Sequence, residues 1–186
     1  MRRFLALTLL SLLLVAQAVL AEAGDSAEKH PAGAFDHYSK GRALAEQGNY
    51  KGAIAEYEAA IKLDPKYDYA YGSLGYAYYE LGDFDAAAKA YEAAIKISPN
   101  DPFYWSELGM SYTKLKNVGK GIPALEMAIK LAPDDEAATR LIMGKLYEDT
   151  GDNAKAAKEY QRCLDLKPSD PRLVQAAQVA LQRVQK

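Results

Sequence analysis

The sequence is poor in the residues that build catalytic and metal sites. It has one cysteine and two histidines among its 186 residues. A single cysteine, Cys163, excludes an intramolecular disulfide, and its place at a repeated small position indicates a buried packing residue. No histidine or cysteine cluster has metal-ligand spacing, and neither a phosphate loop nor a nucleophile–base pair is evident. We therefore expect a non-catalytic protein without a metal or cofactor.

The chain also lacks an excess of charge of either sign. It has 23 Lys and Arg against 25 Asp and Glu, giving a formal net charge of -2. Nucleic-acid-binding domains need a strongly basic surface, so we expect no nucleic-acid partner. The hydrophobic share of 49% is sufficient for one compact unit or one short solenoid.

Long hydrophobic runs are absent except at the amino terminus. The basic start at Arg2 and Arg3 is followed by an apolar stretch over residues 4–20 and then by small residues. This order is typical of a secretory signal peptide, predicted over residues 1–21. Cleavage after any of three alanines fits the pattern: Ala18, Ala21 or Ala23. An uncleaved anchor is the alternative, although the run is short for a bilayer.

A signal of this kind predicts a periplasmic or secreted protein, in contact with the membrane only before cleavage. Loss of residues 1–21 would remove Arg2 and Arg3 and leave a mildly acidic mature chain. Residues 22–33 form a short, polar segment with a glycine near each end and Pro31 near the second. They predict a flexible leader without structure of its own.

From residue 34 onward the sequence repeats itself every 34 residues. The shift connects three sets of equivalent residues. They are small residues (Gly41, Gly75, Gly109 and, one residue late, Gly144), large residues (Tyr57, Tyr91, Leu125 and Tyr160) and the prolines that end each unit (Pro65, Pro99, Pro133 and Pro168). The units are residues 34–67, 68–101, 102–135 and 137–170, with Glu136 as an insertion. A period in this range is typical of solenoids.

Each unit carries two apolar stripes at helical spacing, separated by a break. In the second unit the break is Gly82-Asp83, a helix end followed by a helix cap. The pattern predicts helices near 35–47, 50–63, 69–81, 84–97, 102–115, 119–131, 137–149 and 153–166. An amphipathic ninth helix over 171–186 should cap the last unit.

The third unit departs from the pattern at the start of its second helix. Gly119, Gly121 and Pro123 crowd this segment, and glycine and proline cost about 1 and 3 kcal/mol in a helix interior. We expect either an irregular first turn near 118–122 or a helix that begins late.

The pattern closely resembles the tetratricopeptide repeat family over residues 34–170. The resemblance is carried in the second unit by Tyr71, Leu74, Gly75, Tyr78, Gly82, Phe84, Ala87, Tyr91, Ala94 and Pro99. It implies an all-α, right-handed α-solenoid of four helical hairpins plus the C-terminal capping helix.

The resemblance further implies that the first helix of each hairpin lines a concave groove. The positions facing it are the second, fifth, sixth, ninth, twelfth and thirteenth of each unit, here called the groove positions. From these we predict a set of partner-binding residues: Phe35, Tyr38, Arg42, Tyr69, Tyr76, Tyr79, Phe103, Met110 and Lys145. Phe35, Tyr69 and Phe103 should form a ladder along one edge.

Aromatic residues, Met and Arg are enriched at binding hot spots. An apolar groove favours a helix or extended segment of another protein; alternatively, some rings pack against the leader or adjacent helices. The two-carboxylate clamp of some family members is absent, since Arg42 is the single basic residue at the matching positions. We interpret the chain as a protein–protein interaction adaptor, with a self-assembling component or an accessory subunit or binder of a cell-envelope enzyme as alternatives.

Overall fold

The computed structural model describes residues 30–185, apart from the side chain of Asp135. The signal peptide and most of the leader lie outside the described residues. Residues 30–185 form nine α-helices, one short 3₁₀ turn and no strand. The helices are α1 (Ala32–Glu46), α2 (Tyr50–Leu63), α3 (Asp68–Glu80), α4 (Phe84–Ile97), α5 (Pro102–Lys114), α6 (Val118–Leu131), α7 (Glu136–Asp149), α8 (Asn153–Asp165) and α9 (Pro171–Val184). The predicted all-α helical-repeat solenoid is confirmed.

The turn inside each hairpin has one construction. The residue before α2, α4, α6 and α8 is Asn or Asp, and its side chain accepts a hydrogen bond from the third backbone N–H of the helix at 3.0–3.1 Å. One residue earlier, Gly48, Gly82 and Gly151 have φ of 75°, 81° and 84°. In the third hairpin Lys116 occupies this left-handed position at φ 55°, which L side chains adopt at a cost.

The expected irregularity near 118–122 is wrong. Helix α6 begins at Val118 and continues through Pro123. The Asn117 side chain caps it through the backbone N–H of Lys120 at 3.1 Å. Gly121 lies where a Cβ would be 2.7 Å from Leu146 and 3.3 Å from Tyr112. Close packing against neighbouring helices therefore outweighs the weak helix propensity of this turn.

A glycine on the first helix of each hairpin lets a large side chain of the second helix lie across it. A Cβ added at Gly41 would lie 2.6 Å from the Tyr57 ring, and one added at Gly75 would lie 2.9 Å from the Tyr91 ring. The same clash occurs at Gly109 with Leu125 (2.5 Å) and at Gly144 with Tyr160 (2.4 Å). The four facing side chains are almost fully buried. These glycines therefore set the close approach within each hairpin.

Tyrosines of the second helices also join one repeat to the next. The Tyr91 hydroxyl donates a hydrogen bond to Glu107 of the following repeat at 3.3 Å, and Ser73 of the second repeat lies beside the Tyr57 hydroxyl, where it opposes the rise in pKa that burial causes in that phenol. The rings of Tyr91 and Tyr57 are buried. Each therefore belongs to the core of its own hairpin while its hydroxyl reaches a groove position of the next.

The amphipathic α9 packs against α8 and α7, as the sequence predicts. Ala177 and Ala180 are buried in this contact. Arg183 donates to both carboxylate oxygens of Glu148, at 2.7 Å to Oε2, and the Tyr160 hydroxyl donates to Glu148 at 2.7 Å. The hydrogen bond from Arg183 is the main cause that lowers the pKa of Glu148. The ion pair fixes α9 to the last hairpin.

The end of the predicted leader is structured, contrary to expectation. Helix α1 begins at Ala32, and the His30 ring stacks on Tyr67 with centroids 3.8 Å apart. His30 Nδ1 also pairs with the carboxylate of Asp64. Stacking and pairing attach residue 30 to the first hairpin, whereas composition alone indicated a free segment. Within residues 30–185, no helix is both long and apolar enough to cross a bilayer.

Candidate functional site

The first helices of successive hairpins form one continuous inner wall. Helices α1, α3, α5, α7 and α9 contact one another in that order. Two hollows open on this wall. We name them the N-terminal cavity and the C-terminal cleft.

The N-terminal cavity has a volume of about 360 Å³ and lies between α1, α3 and the start of α5. It is lined by Arg42, Ala45, Glu46, Tyr50, Tyr57, Gly72, Ser73, Tyr76 and Phe103. Tyr76 is 43% exposed and Phe103 is 51% exposed. The one charged pair in its lining, Arg42 with Glu46 at 3.8 Å, leaves the cavity electrically neutral.

The C-terminal cleft is larger, at about 630 Å³, and spans α3, α5, α7 and α9. Its lining comprises Tyr79, Met110, Thr113, Lys114, Leu141, Ile142, Lys145, Asp149, Tyr160, Arg172, Gln175, Ala176, Val179, Ala180 and Arg183. The structure therefore brings together three of the predicted binding residues here, namely Tyr79, Met110 and Lys145. A hollow shared by four first helices shows that the inner wall is concave over this part.

Sequence reasoning missed the contribution of α9 to this cleft. We predicted a cap, and α9 also supplies one wall. A signal was present: a 34-residue shift from Leu141, Lys145 and Asp149 reaches Gln175, Val179 and Arg183, all of which line the cleft. Helix α9 is thus placed as the first helix of a fifth, incomplete repeat.

The remaining predicted residues are arranged differently from expectation. Tyr69 is 55% exposed, and Phe35 is half-buried, but neither lines the two hollows. No ring contact within residues 30–185 joins Phe35, Tyr69 and Phe103, so these rings are separate along the wall. Phe103 instead packs edge-on against Tyr104, with centroids 5.7 Å apart.

Tyr38 is more closely packed than a free groove residue, and its role in partner binding stays a prediction. Its ring lies between Tyr57 and Tyr67, with centroid separations of 6.0 and 5.0 Å. It is half-buried against the core of the first hairpin. Tyr38 fills part of the space beside Tyr67.

Glu107 is a half-buried carboxylate of the inner wall. Burial raises its pKa, while the hydrogen bond from the Tyr91 hydroxyl opposes the shift. The nearby Glu80 raises the pKa further. The charged form of Glu107 is therefore less favourable at this point between the two hollows than it would be in water.

The other reactive side chains of the described region have structural surroundings. Cys163 is fully buried, and burial raises the pKa of its thiol, which favours the unreactive protonated form. His37 pairs with Glu56 at 2.6 Å between α1 and α2. Residues 30–185 hold no group of three or more His, Cys, Asp or Glu side chains that could bind a metal ion.

Two family models match the repeats of this chain. The family model described as tetratricopeptide repeat matches residues 38–102, and a second model of the same description matches residues 104–135 and 137–170. Together these matches cover most of the chain. The chain belongs to the tetratricopeptide repeat family. The comparison with curated proteins found no match.

Solved structures agree with this tetratricopeptide fold. The MamA protein is 23% identical with a TM-score of 0.70, over 81% of each chain. A thermophilic tetratricopeptide protein of Thermus thermophilus is 22% identical with a TM-score of 0.65, over 93% of this chain and 94% of that one. YrrB, described as having an unusual peptide-binding site, is 20% identical with a TM-score of 0.65, over 86% and 82%. At these identities the likeness establishes the fold alone.

The family and the character of the inner wall together support a protein–protein interaction scaffold. The wall combines exposed aromatic rings with two open hollows. Aromatic side chains of this kind are the residues that contribute most to protein–protein binding.

Proposed function

We propose that this tetratricopeptide protein is a non-catalytic adaptor that binds a segment of another polypeptide along its inner wall. The observation that carries the proposal is the C-terminal cleft of about 630 Å³, which extends across four first helices. An open hollow that spans several helices offers an extended surface on which a helix or strand of another polypeptide can lie. The peptide-binding site described for YrrB, which shares the fold, is in keeping with this use.

The exposed rings supply the second line of support. Tyr69, Tyr76 and Phe103 are each more than two-fifths exposed, although they are large hydrophobic side chains. Single exposed apolar side chains are common on protein surfaces, but these three lie on the same inner wall. Their position on the inner wall favours contact with a partner.

Site-specific photo-crosslinking in intact cells tests this proposal. A photoreactive residue replaces Tyr76 or Val179 on the inner wall, and matched controls carry it at Lys89 or Lys158, which are exposed on second helices. We expect the inner-wall positions to capture a discrete polypeptide that the control positions do not capture. Equal capture from both faces would refute binding along the inner wall.

We further propose that the protein is exported to the periplasm or secreted. The support is the basic, apolar and small-residue order of residues 1–23. Cell fractionation followed by amino-terminal sequencing tests this directly. Export predicts a mature chain beginning after Ala18, Ala21 or Ala23, and a cytoplasmic protein that retains Met1 would overturn it.

A further inference from the structure

The C-terminal cleft combines an apolar floor with a positively charged rim. Met110, Leu141, Ile142 and Val179 supply apolar surface from three different helices. Val179 is 54% exposed, so its side chain faces open space although it lies in the middle of α9. The floor is therefore available for large apolar side chains of another molecule.

The charges that line the cleft are four cations against one carboxylate. The cations are Lys114, Lys145, Arg172 and Arg183, and the carboxylate is Asp149. Glu148 and Asp170 lie outside the lining but pair with Arg183 and Arg172, so the excess around the cleft is one positive charge.

Intramolecular ion pairs account for some of these cations. Lys145 pairs with Asp149 at 2.6 Å, Arg172 pairs with Asp170 at 3.4 Å, and Arg183 pairs with Glu148. Lys114 has no carboxylate within ion-pair distance in residues 30–185, and its Nζ lies 5.9 Å from the centroid of the Tyr79 ring. Lys114 thus offers an unpaired positive charge at the apolar floor.

From this arrangement we propose that the C-terminal cleft binds a segment of a partner protein that carries large apolar side chains beside Asp or Glu. The apolar side chains occupy the floor between Leu141 and Val179, and a carboxylate pairs with Lys114. This inference rests on the proposed function and adds the chemistry of the partner. Charge complementarity also sets the orientation of the bound segment. Because the N-terminal cavity is neutral, the acidic residues of the segment face α5 to α9.

The chain's own amino-terminal segment is poorly matched to this cleft. The apolar residues 4–20 contain no Asp or Glu and follow Arg2 and Arg3, and the acidic residues after them, Glu22, Asp25 and Glu28, are separated by small side chains. A cationic rim would repel this start and leave Lys114 without a partner. Charge therefore favours an acidic segment from another protein.

A displayed library of random peptides tests the proposal on the full-length protein. Three neighbouring helices about 10 Å apart span roughly 20–30 Å, which a helical peptide of about 16 residues can cover. Selected peptides are then titrated against the protein by fluorescence anisotropy. We expect enriched sequences to combine Leu, Ile or Phe with Asp or Glu, and their affinity to fall with added salt.

Charge variants decide whether the cleft is responsible. Lys114→Glu should weaken selected peptides roughly tenfold or more. Lys158→Glu, an exposed change on α8 outside the cleft, should alter affinity less than about twofold. Val179→Asp should abolish binding by placing a carboxylate in the floor. Circular dichroism and the unfolding midpoint of each variant establish that it is folded.

The contrary outcomes separate this inference from the proposed function. Peptides that bind without acidic residues, or whose binding is insensitive to Lys114→Glu, would contradict the proposal that the partner segment is acidic. The proposed adaptor function would still stand. Self-association that Val179→Asp abolishes in sedimentation would instead make the cleft an interface between copies and overturn the proposal. A library that yields no binder overturns the peptide chemistry, while photo-crosslinking in cells still decides the adaptor function.

Discussion

The same glycine-to-alanine change should have opposite effects at two helical positions. At Gly144 a Cβ would lie 2.4 Å from Cε1 and 2.5 Å from Cδ1 of Tyr160, whereas ordinary contact begins at 3.4 Å. The Tyr160 ring is fully buried and cannot swing into solvent. At Gly119 the nearest atom to a new Cβ is 3.7 Å away. Gly144→Ala therefore forces the hairpin apart by about 1 Å, and Gly119→Ala does not.

The magnitudes follow from two opposing effects. Overpacking a well-filled core costs about 1–3 kcal/mol, and replacing a helical glycine by alanine contributes up to about 1 kcal/mol of stability. We expect Gly144→Ala to lower the free energy of unfolding by about 1–2 kcal/mol and Gly119→Ala to raise it by about 0.5 kcal/mol.

Urea unfolding followed by far-ultraviolet circular dichroism measures both changes, with the slope of each transition checked for cooperative behaviour. Stabilisation by Gly144→Ala equal to that by Gly119→Ala would refute the close glycine–tyrosine packing of the last hairpin.

Three other substitutions test separate features. Arg140→Met removes the guanidinium that lies 2.8 Å from the buried Glu159 carboxylate, and it should lower the free energy of unfolding by about 2–3 kcal/mol. As a control in the same denaturant assay, Arg162→Met, at a more exposed guanidinium, should lower it by under about 1 kcal/mol. Lys116→Gly relieves a positive φ of 55° and should add about 1 kcal/mol; an unchanged or lower melting temperature would contradict this. Glu107→Gln should stabilise the protein at neutral pH. Because burial raises the folded-state pKa of Glu107 above 4.5, the folded chain holds this proton more tightly, and stability falls as pH rises from 4.5 through that pKa. The advantage of Glu107→Gln should vanish below pH 4.5 in denaturant titrations, and a constant advantage at all pH values would contradict the assignment.

Most of the fold was predictable because its signals are local and repeated. Glycine and Asx residues at fixed intervals mark the helix boundaries, and the predicted helices agree with the observed ones to within a few residues. The start of α6 was not predictable in this way. Its glycines and proline lower local propensity, but the space that Gly121 leaves for Leu146 is a property of the stack. Tertiary packing decided this segment.

The candidate site was less accessible from sequence for a similar reason. Groove positions can be counted along a repeat, yet the exposure of each side chain depends on its neighbours. Tyr38 is only partly exposed because it packs beside Tyr67, a contact between distant parts of the first repeat. Helix α9 was interpreted as a cap because its own pattern is amphipathic. Its place in the cleft can be predicted only by continuing the 34-residue shift past the last complete repeat.

The central claim is that the inner wall binds another polypeptide, and one titration tests it most directly. The partner segment captured by photo-crosslinking is titrated by calorimetry against the wild-type protein, the double variant Tyr76→Ala/Tyr79→Ala and the second-helix control Lys89→Ala. Loss of two aromatic contacts should weaken binding at least about 30-fold, or about 2 kcal/mol, while the control binds as the wild type does. Unchanged affinity of the folded double variant would contradict the account.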